Sequence, residues 1–119
     1  MYIASHNSTE TRADTESKRL FNTLFTRRQS HDADFSVAIE RGEPGCWFPA
    51  HRHDLEQIFF VIEGQMEITI DGQARVIGPR EMVYVPRDAE HAGRSAGDTP
   101  LAYLVIDHWP MDSQDDLGL

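Results

Sequence analysis

The chain has 119 residues, enough for one packed core and no second. It is 39% hydrophobic and 26% charged, which excludes disorder throughout. Its 20 acidic against 11 basic residues give a net charge of -9, and that argues against nucleic acid and anionic membrane as partners, because both need a basic face.

The first stretch, residues 1–18, is rich in Ser, Thr, Asn and acidic residues and reads as a polar arm. Its exception is Tyr2-Ile3, which is suited to add a short strand to a partner's sheet. Residues 19–110 carry the punctuation of an all-β domain. The β-rich runs are Leu20–Thr26, Phe35–Arg41, Trp47–His53, Gln57–Ile62, Met66–Ile70, Ala74–Ile77, Met82–Val85 and Leu101–Trp109. Gly, Pro and Asp clusters separate them. Asp71-Gly72 is a two-residue hairpin signal, since both residues tolerate positive φ. Residues 111–119 read as an acidic tail.

Ile58 to Ile62 is apolar at every position. A strand with one wet face would alternate, so both faces of this strand are expected to be covered. Leu101 to Ile106 reads the same way, and the pair predicts a homodimer. No apolar run is long enough to span a membrane, and Met1 to Ser17 lacks the apolar segment of a signal peptide. The single Cys46 excludes an internal disulfide and fits a cytoplasmic protein. Short strands in this number and spacing mean a single-domain sandwich or small barrel.

The chemistry gathers around histidine. His51 and His53 stand at i and i+2, on one face of a strand. Gln57 keeps the same parity. Neutral imidazole is the commonest metal ligand, and an amide oxygen can complete such a set. His6 and His31 sit in polar surroundings and read as solvated. Cys46 reads as a packing residue, with no base beside it to make it a nucleophile.

The longer pattern is Gly45, five residues, His51-Arg52-His53, three residues, Gln57, six residues, Gly64; Pro86 follows, with His91 five residues after it. This resembles the two motifs of the cupin superfamily. Three departures stand out. Gln57 replaces the usual glutamate, Arg80 stands where the second motif opens on glycine, and Asp88 and Ser95 replace that motif's turn glycine and terminal asparagine. The resemblance implies a double-stranded β-helix, the jelly-roll barrel, over residues 19–110. It further implies that His51, His53, Gln57 and His91 bind one divalent metal. Imidazole suits several metals. Zinc is the first expectation here, with nickel and iron(II) behind it, because a neutral ligand set favours Lewis-acid over redox chemistry.

By strand parity His108 shares a face with Ala102, Leu104 and Ile106. If that face is the inner one, His108 enters the cavity as a fourth histidine ligand or a general acid/base. Phe59 and Val61 share parity with Gln57. With Trp47 and Tyr84 they are expected to line a pocket for a small organic substrate. Among cupins, the chain resembles short metal enzymes of non-redox type. The first reading is a polyketide cyclase closing an aromatic ring by aldol chemistry. The alternatives are an isomerase opening an unsaturated uronate, an iron-dependent dioxygenase, and a binding protein without catalysis.

Overall fold

Short β-rich runs broken by turn residues do fold here as strands, and most of the sequence between them is turn. The computed structural model describes residues 1–30 and 33–115; His31 and residues 116–119 lie outside the described residues. The elements are β1 (Thr11–Asp14), β2 (Arg19–Phe25), a 3-10 helix (Arg27–Ser30), β3 (Phe35–Gly42), β4 (Trp47–His51), β5 (Glu56–Glu63), β6 (Met66–Ile70), β7 (Gln73–Ile77), β8 (Met82–Val85), β9 (His91–Ser95) and β10 (Leu101–His108). Two antiparallel sheets result, one ordered β1-β2-β3-β10-β5-β8 and the other β4-β9-β6-β7. Their inner faces enclose one core, as in a jelly-roll barrel.

Strand alternation decides which residues fill it. Phe59 and Val61 of β5 point inward, as do Tyr103 and Val105 of β10, and all four are buried. Met66, Ile68 and Leu101 complete the packing. Each such side chain contributes roughly 1.5–3 kcal/mol of burial. The β6–β7 hairpin turns at Asp71 (φ 47°) and Gly72 (φ 83°), the positive pair that a type I′ turn requires. Asp88 and Arg80 also adopt positive φ, 63° and 69°. These are the two positions where the resembling motif carries glycine, so the backbone keeps the turn although the residue has changed.

Two strands have no apolar signature in the sequence. β9 reads His-Ala-Gly-Arg-Ser, yet it is central to the four-stranded sheet. Gly93 is required there by contact, because a Cβ at that position would lie 2.4 Å from the ring of Phe48, its cross-strand partner. β1 lies within the expected polar arm and pairs with β2 of its own chain, Thr11 opposite Asn22. Asn22 is fully buried, and its amide donates to the His6 carbonyl at 3.1 Å and to Thr11 Oγ1 at 2.9 Å. The Tyr2 hydroxyl donates to the Leu24 carbonyl, and its ring packs edge-on to Phe25. In the single chain the arm therefore lies on its own barrel. The outer face of β5 is uncovered in the single chain, with Phe60 and Ile62 exposed.

Candidate metal centre

His51 ends β4 and His91 opens β9, and the two residues are directly paired across the strands. Between Phe48 and His51 the ladder gains one residue: Phe48 faces Gly93 and His51 faces His91. This bulge resets parity. Phe48 is buried, and His51 still turns inward although the two are three positions apart, an odd offset that would put them on opposite faces of a regular strand. Pro49, which cannot donate to a ladder, sits within the bulge. His53 lies just past the strand. The ring centroids of His51 are 4.5 Å from His53 and 4.2 Å from His91. Each of the three histidines offers a ligand atom within 4.8 Å of the others, an arrangement that could hold a metal ion.

Hydrogen bonds set which nitrogens are offered. His51 Nδ1 donates to the Pro49 carbonyl at 2.6 Å, and His91 Nδ1 donates to the Ala89 carbonyl at 2.9 Å. A carbonyl only accepts, so each Nδ1 carries the proton and each Nε2 keeps its lone pair. His53 Nδ1 meets Asp115 Oδ2 at 3.0 Å. This carboxylate–histidine pairing orients metal-ligating imidazoles in many sites. Among the described residues, His91 Nε2 is buried without a hydrogen-bond partner, and so is Gln57 Oε1. Two orphaned acceptors beside a cavity are costly in the chain alone and fit a cation. Burial, helped by the other two imidazoles, pulls the His91 pKa down to about 4, and burial also lowers that of His51. Both rings are therefore neutral at pH 7, as ligands must be.

His51, His53 and Gln57 line a cavity of about 400 Å³, whose walls include Phe21, Phe48 and Phe59. Two carboxyls also face it, Asp107, which is buried, and Glu40, which is partly buried, and neither was singled out by the sequence. Glu40 accepts from the Tyr103 hydroxyl at 2.9 Å and from Arg19 Nη1 at 3.0 Å. Asp107 accepts from Gln57 Nε2 at 2.8 Å. Desolvation raises the pKa of both carboxyls. The sequence signal for them was parity: Asp107 belongs to the Tyr103–Val105 face of β10, and that face is the inner one.

The same observation corrects His108. It lies on the outer face, half-exposed, with Nδ1 3.2 Å from Glu56 Oε1, and it does not enter the cavity. Tyr84 is likewise on the outer face, opposite Ile58, with its hydroxyl donating to Glu56. Trp47 precedes the bulge and is exposed outside the barrel. Val61 is packed in the core and does not line the cavity, whereas Phe59 does. Two arginines, Arg12 and Arg19, also line the cavity.

The sequence profile of the cupin domain matches residues 38–107. The chain belongs to the cupin family. Among curated proteins it is similar to the dimethylsulfoniopropionate lyase DddQ of Ruegeria pomeroyi, with 35% identity over 52% of this chain and 31% of that one. The chain spans 16% to 54% of the length of the curated cupin relatives it matches. Among solved structures it resembles the polyketide cyclase RemF from Streptomyces resistomycificus, with a TM-score of 0.77 and 21% identity, covering 97% of this chain and 82% of that one. It also resembles KdgF from Halomonas sp., with a TM-score of 0.75 and 16% identity, covering 94% and 97%. At these identities the two structures establish the shared cupin fold. No helix among the described residues is long and apolar enough to cross a membrane.

Proposed function

We propose that this cupin is a metal-dependent, non-redox enzyme that closes an aromatic ring on a poly-β-ketone, with His51, His53, Gln57 and His91 as the metal ligands. The observation that carries this reading is the convergence of three imidazoles whose ligand atoms lie within 4.8 Å of one another, two of them with Nε2 left free because Nδ1 donates to a carbonyl. A divalent ion there, zinc by preference, supplies a Lewis acid to a substrate carbonyl. The ligand set carries no charge, which leaves the ion's full +2 to act on the substrate.

The chain supplies the rest. Phe21, Phe48 and Phe59 give a flat substrate an apolar wall. Confinement in the cavity brings the two ends of one substrate chain together, which makes ring closure effectively intramolecular. With His108 outside, the base in this reading is Glu40. Its carboxyl is held by Tyr103 and Arg19 on the cavity wall, and desolvation makes it a stronger base than a solvated glutamate.

A second reading, isomerisation of an unsaturated uronate, has one observation in its favour. Arg12 of β1 shares the cross-strand row of Phe21 and Glu40, lines the cavity, and is in no ion pair among the described residues. A substrate carboxylate would suit it. The deciding experiment is turnover of both substrate classes by the zinc-loaded protein under strict anaerobiosis. Activity on the poly-β-ketone that is undiminished without oxygen, and indifferent to Arg12→Gln, supports the cyclase. Turnover of the uronate, with a KM raised at least tenfold by Arg12→Gln, supports the isomerase instead. Activity that vanishes without oxygen and returns with iron(II) and oxygen makes the protein a dioxygenase and overturns both.

A further inference from the structure

Gln57 and Asp107 face each other across the β5–β10 ladder, and both side chains are buried on the inner face. Gln57 Nε2 donates to Asp107 Oδ1 at 2.8 Å. An ionised carboxylate only accepts, so this bond can form with one end of the amide and not with the other. Ser36, buried on the neighbouring strand β3, lies directly opposite Asp107 in the ladder. The NH2 end of the Gln57 amide is thus committed to the Asp107 carboxylate. The amide of Gln57 is held in one orientation, with Oε1 as its free end. That oxygen is buried and has no hydrogen-bond partner among the described residues, in a cavity that His51 and His53 also line.

We infer that Asp107 is a positioning residue: it fixes the Gln57 amide so that Oε1, and not the NH2 group, is presented to the cation bound by His51, His53 and His91. The inference rests on the metal-site reading given above. It carries a consequence for charge. Where related motifs place a glutamate ligand, this chain has a neutral amide with a carboxylate one hydrogen bond behind it. The two residues form a unit whose charge can be moved between its members. Gln57→Glu alone would set two carboxylates against each other at hydrogen-bond distance. Gln57→Glu combined with Asp107→Asn would exchange the roles of donor and acceptor and leave the total charge unchanged.

The test is metal affinity of the metal-free full-length protein, measured for zinc by competition with a chromophoric chelator at pH 7, with circular dichroism melting as the control for folding. Asp107→Asn is expected to weaken zinc binding tenfold to a hundredfold, because the amide is then free to flip. The double exchange is expected to return affinity to within about threefold of wild type, a coupling that independent sites do not show. A purely structural role for Asp107 would give no such rescue. Wild-type affinity in Asp107→Asn, or a double exchange no better than that single variant, overturns the inference. If Asp107→Asn does not fold, the double exchange is compared with Gln57→Glu: tighter binding supports the inference and weaker binding overturns it. His91→Ala separates the two levels. Zinc binding that persists in His91→Ala overturns the metal-site reading together with this inference, whereas binding that requires His91 and ignores Asp107 overturns the inference alone.

Discussion

His91 concentrates the costs of the site in one ring. It is 1% exposed, its Nδ1 is committed to Ala89, and its Nε2 has no partner. Its pKa is lowered to about 4, chiefly by desolvation. The unfolded chain therefore binds a proton at this residue at a higher pH than the folded chain does. Between pH 6.5 and about 4 the unfolded state holds more protons, and stability must fall as pH falls through that window. The full contribution is on the order of 3 kcal/mol, present above the unfolded value and progressively lost below it. The raised carboxyls of Glu40 and Asp107 act with the opposite sign, so the comparison that isolates His91 is between wild type and His91→Gln. Urea unfolding of the metal-free proteins at pH 7 and pH 5 should show a larger loss of stability in wild type than in the variant. Equal losses would mean that the ring is already protonated, or solvated, in the folded state.

The elements show what was legible in the sequence and what was not. The β-rich runs and the His-x-His spacing were visible because they depend on residue type. Parity was misleading wherever a backbone irregularity intervened. The bulge between Phe48 and His51 sends Trp47 outward while His51 stays inward, and a strict two-residue period puts the two together. On β10 the alternation itself was correct, but nothing in an apolar strand says which face is inner, and His108 lies on the outer one. β9 was invisible because its interior residues are Ala and Gly, chosen by the ring of Phe48 and not by β-propensity. The acidic C-terminal stretch hid a specific role. Residues 111–115 dock on the loop after β4. Gln114 N donates to Asp54 Oδ2 at 2.6 Å, Arg87 joins Asp54 to Asp112, and Asp115 meets His53. This clasp orients His53, one of the proposed metal ligands, from outside the region that matches the family. Asp115→Ala should therefore weaken zinc binding tenfold or more while leaving the melting temperature within a few degrees of wild type. Unchanged affinity in a chelator competition would show that His53 is held by its loop alone.

At the scale of the whole molecule, the barrel has one face it does not cover. Phe60 pairs with Met82 and Ile58 with Tyr84 on the outer side of β5 and β8, and Leu104 and Ile106 of β10 extend the same surface. Phe60, Met82 and Tyr84 are exposed in the single chain. Contiguous apolar surface of this kind marks an interaction site more often than free surface. β8 is also the edge of its sheet, with main-chain groups on one side unpaired by a neighbouring strand. A second copy of the chain is the simplest cover, and it would complete the two-sided burial that the pattern of Ile58 to Ile62 predicts. Opposing this is charge: each chain carries -9, and two copies repel. The repulsion is screened with a Debye length of about 8 Å at physiological salt, whereas apolar burial is not weakened by salt. Association should therefore tighten as ionic strength rises. Light scattering at micromolar concentration should give twice the monomer mass at physiological salt, with dissociation favoured at low salt. Phe60→Glu puts a charge at the centre of the patch and should yield monomers whose zinc binding, the property proposed for the histidine triad, equals that of wild type. A wild-type monomer at high salt and high protein concentration would mean that this face stays solvated, and that the apolar pattern of β5 reflects strand propensity and not an interface.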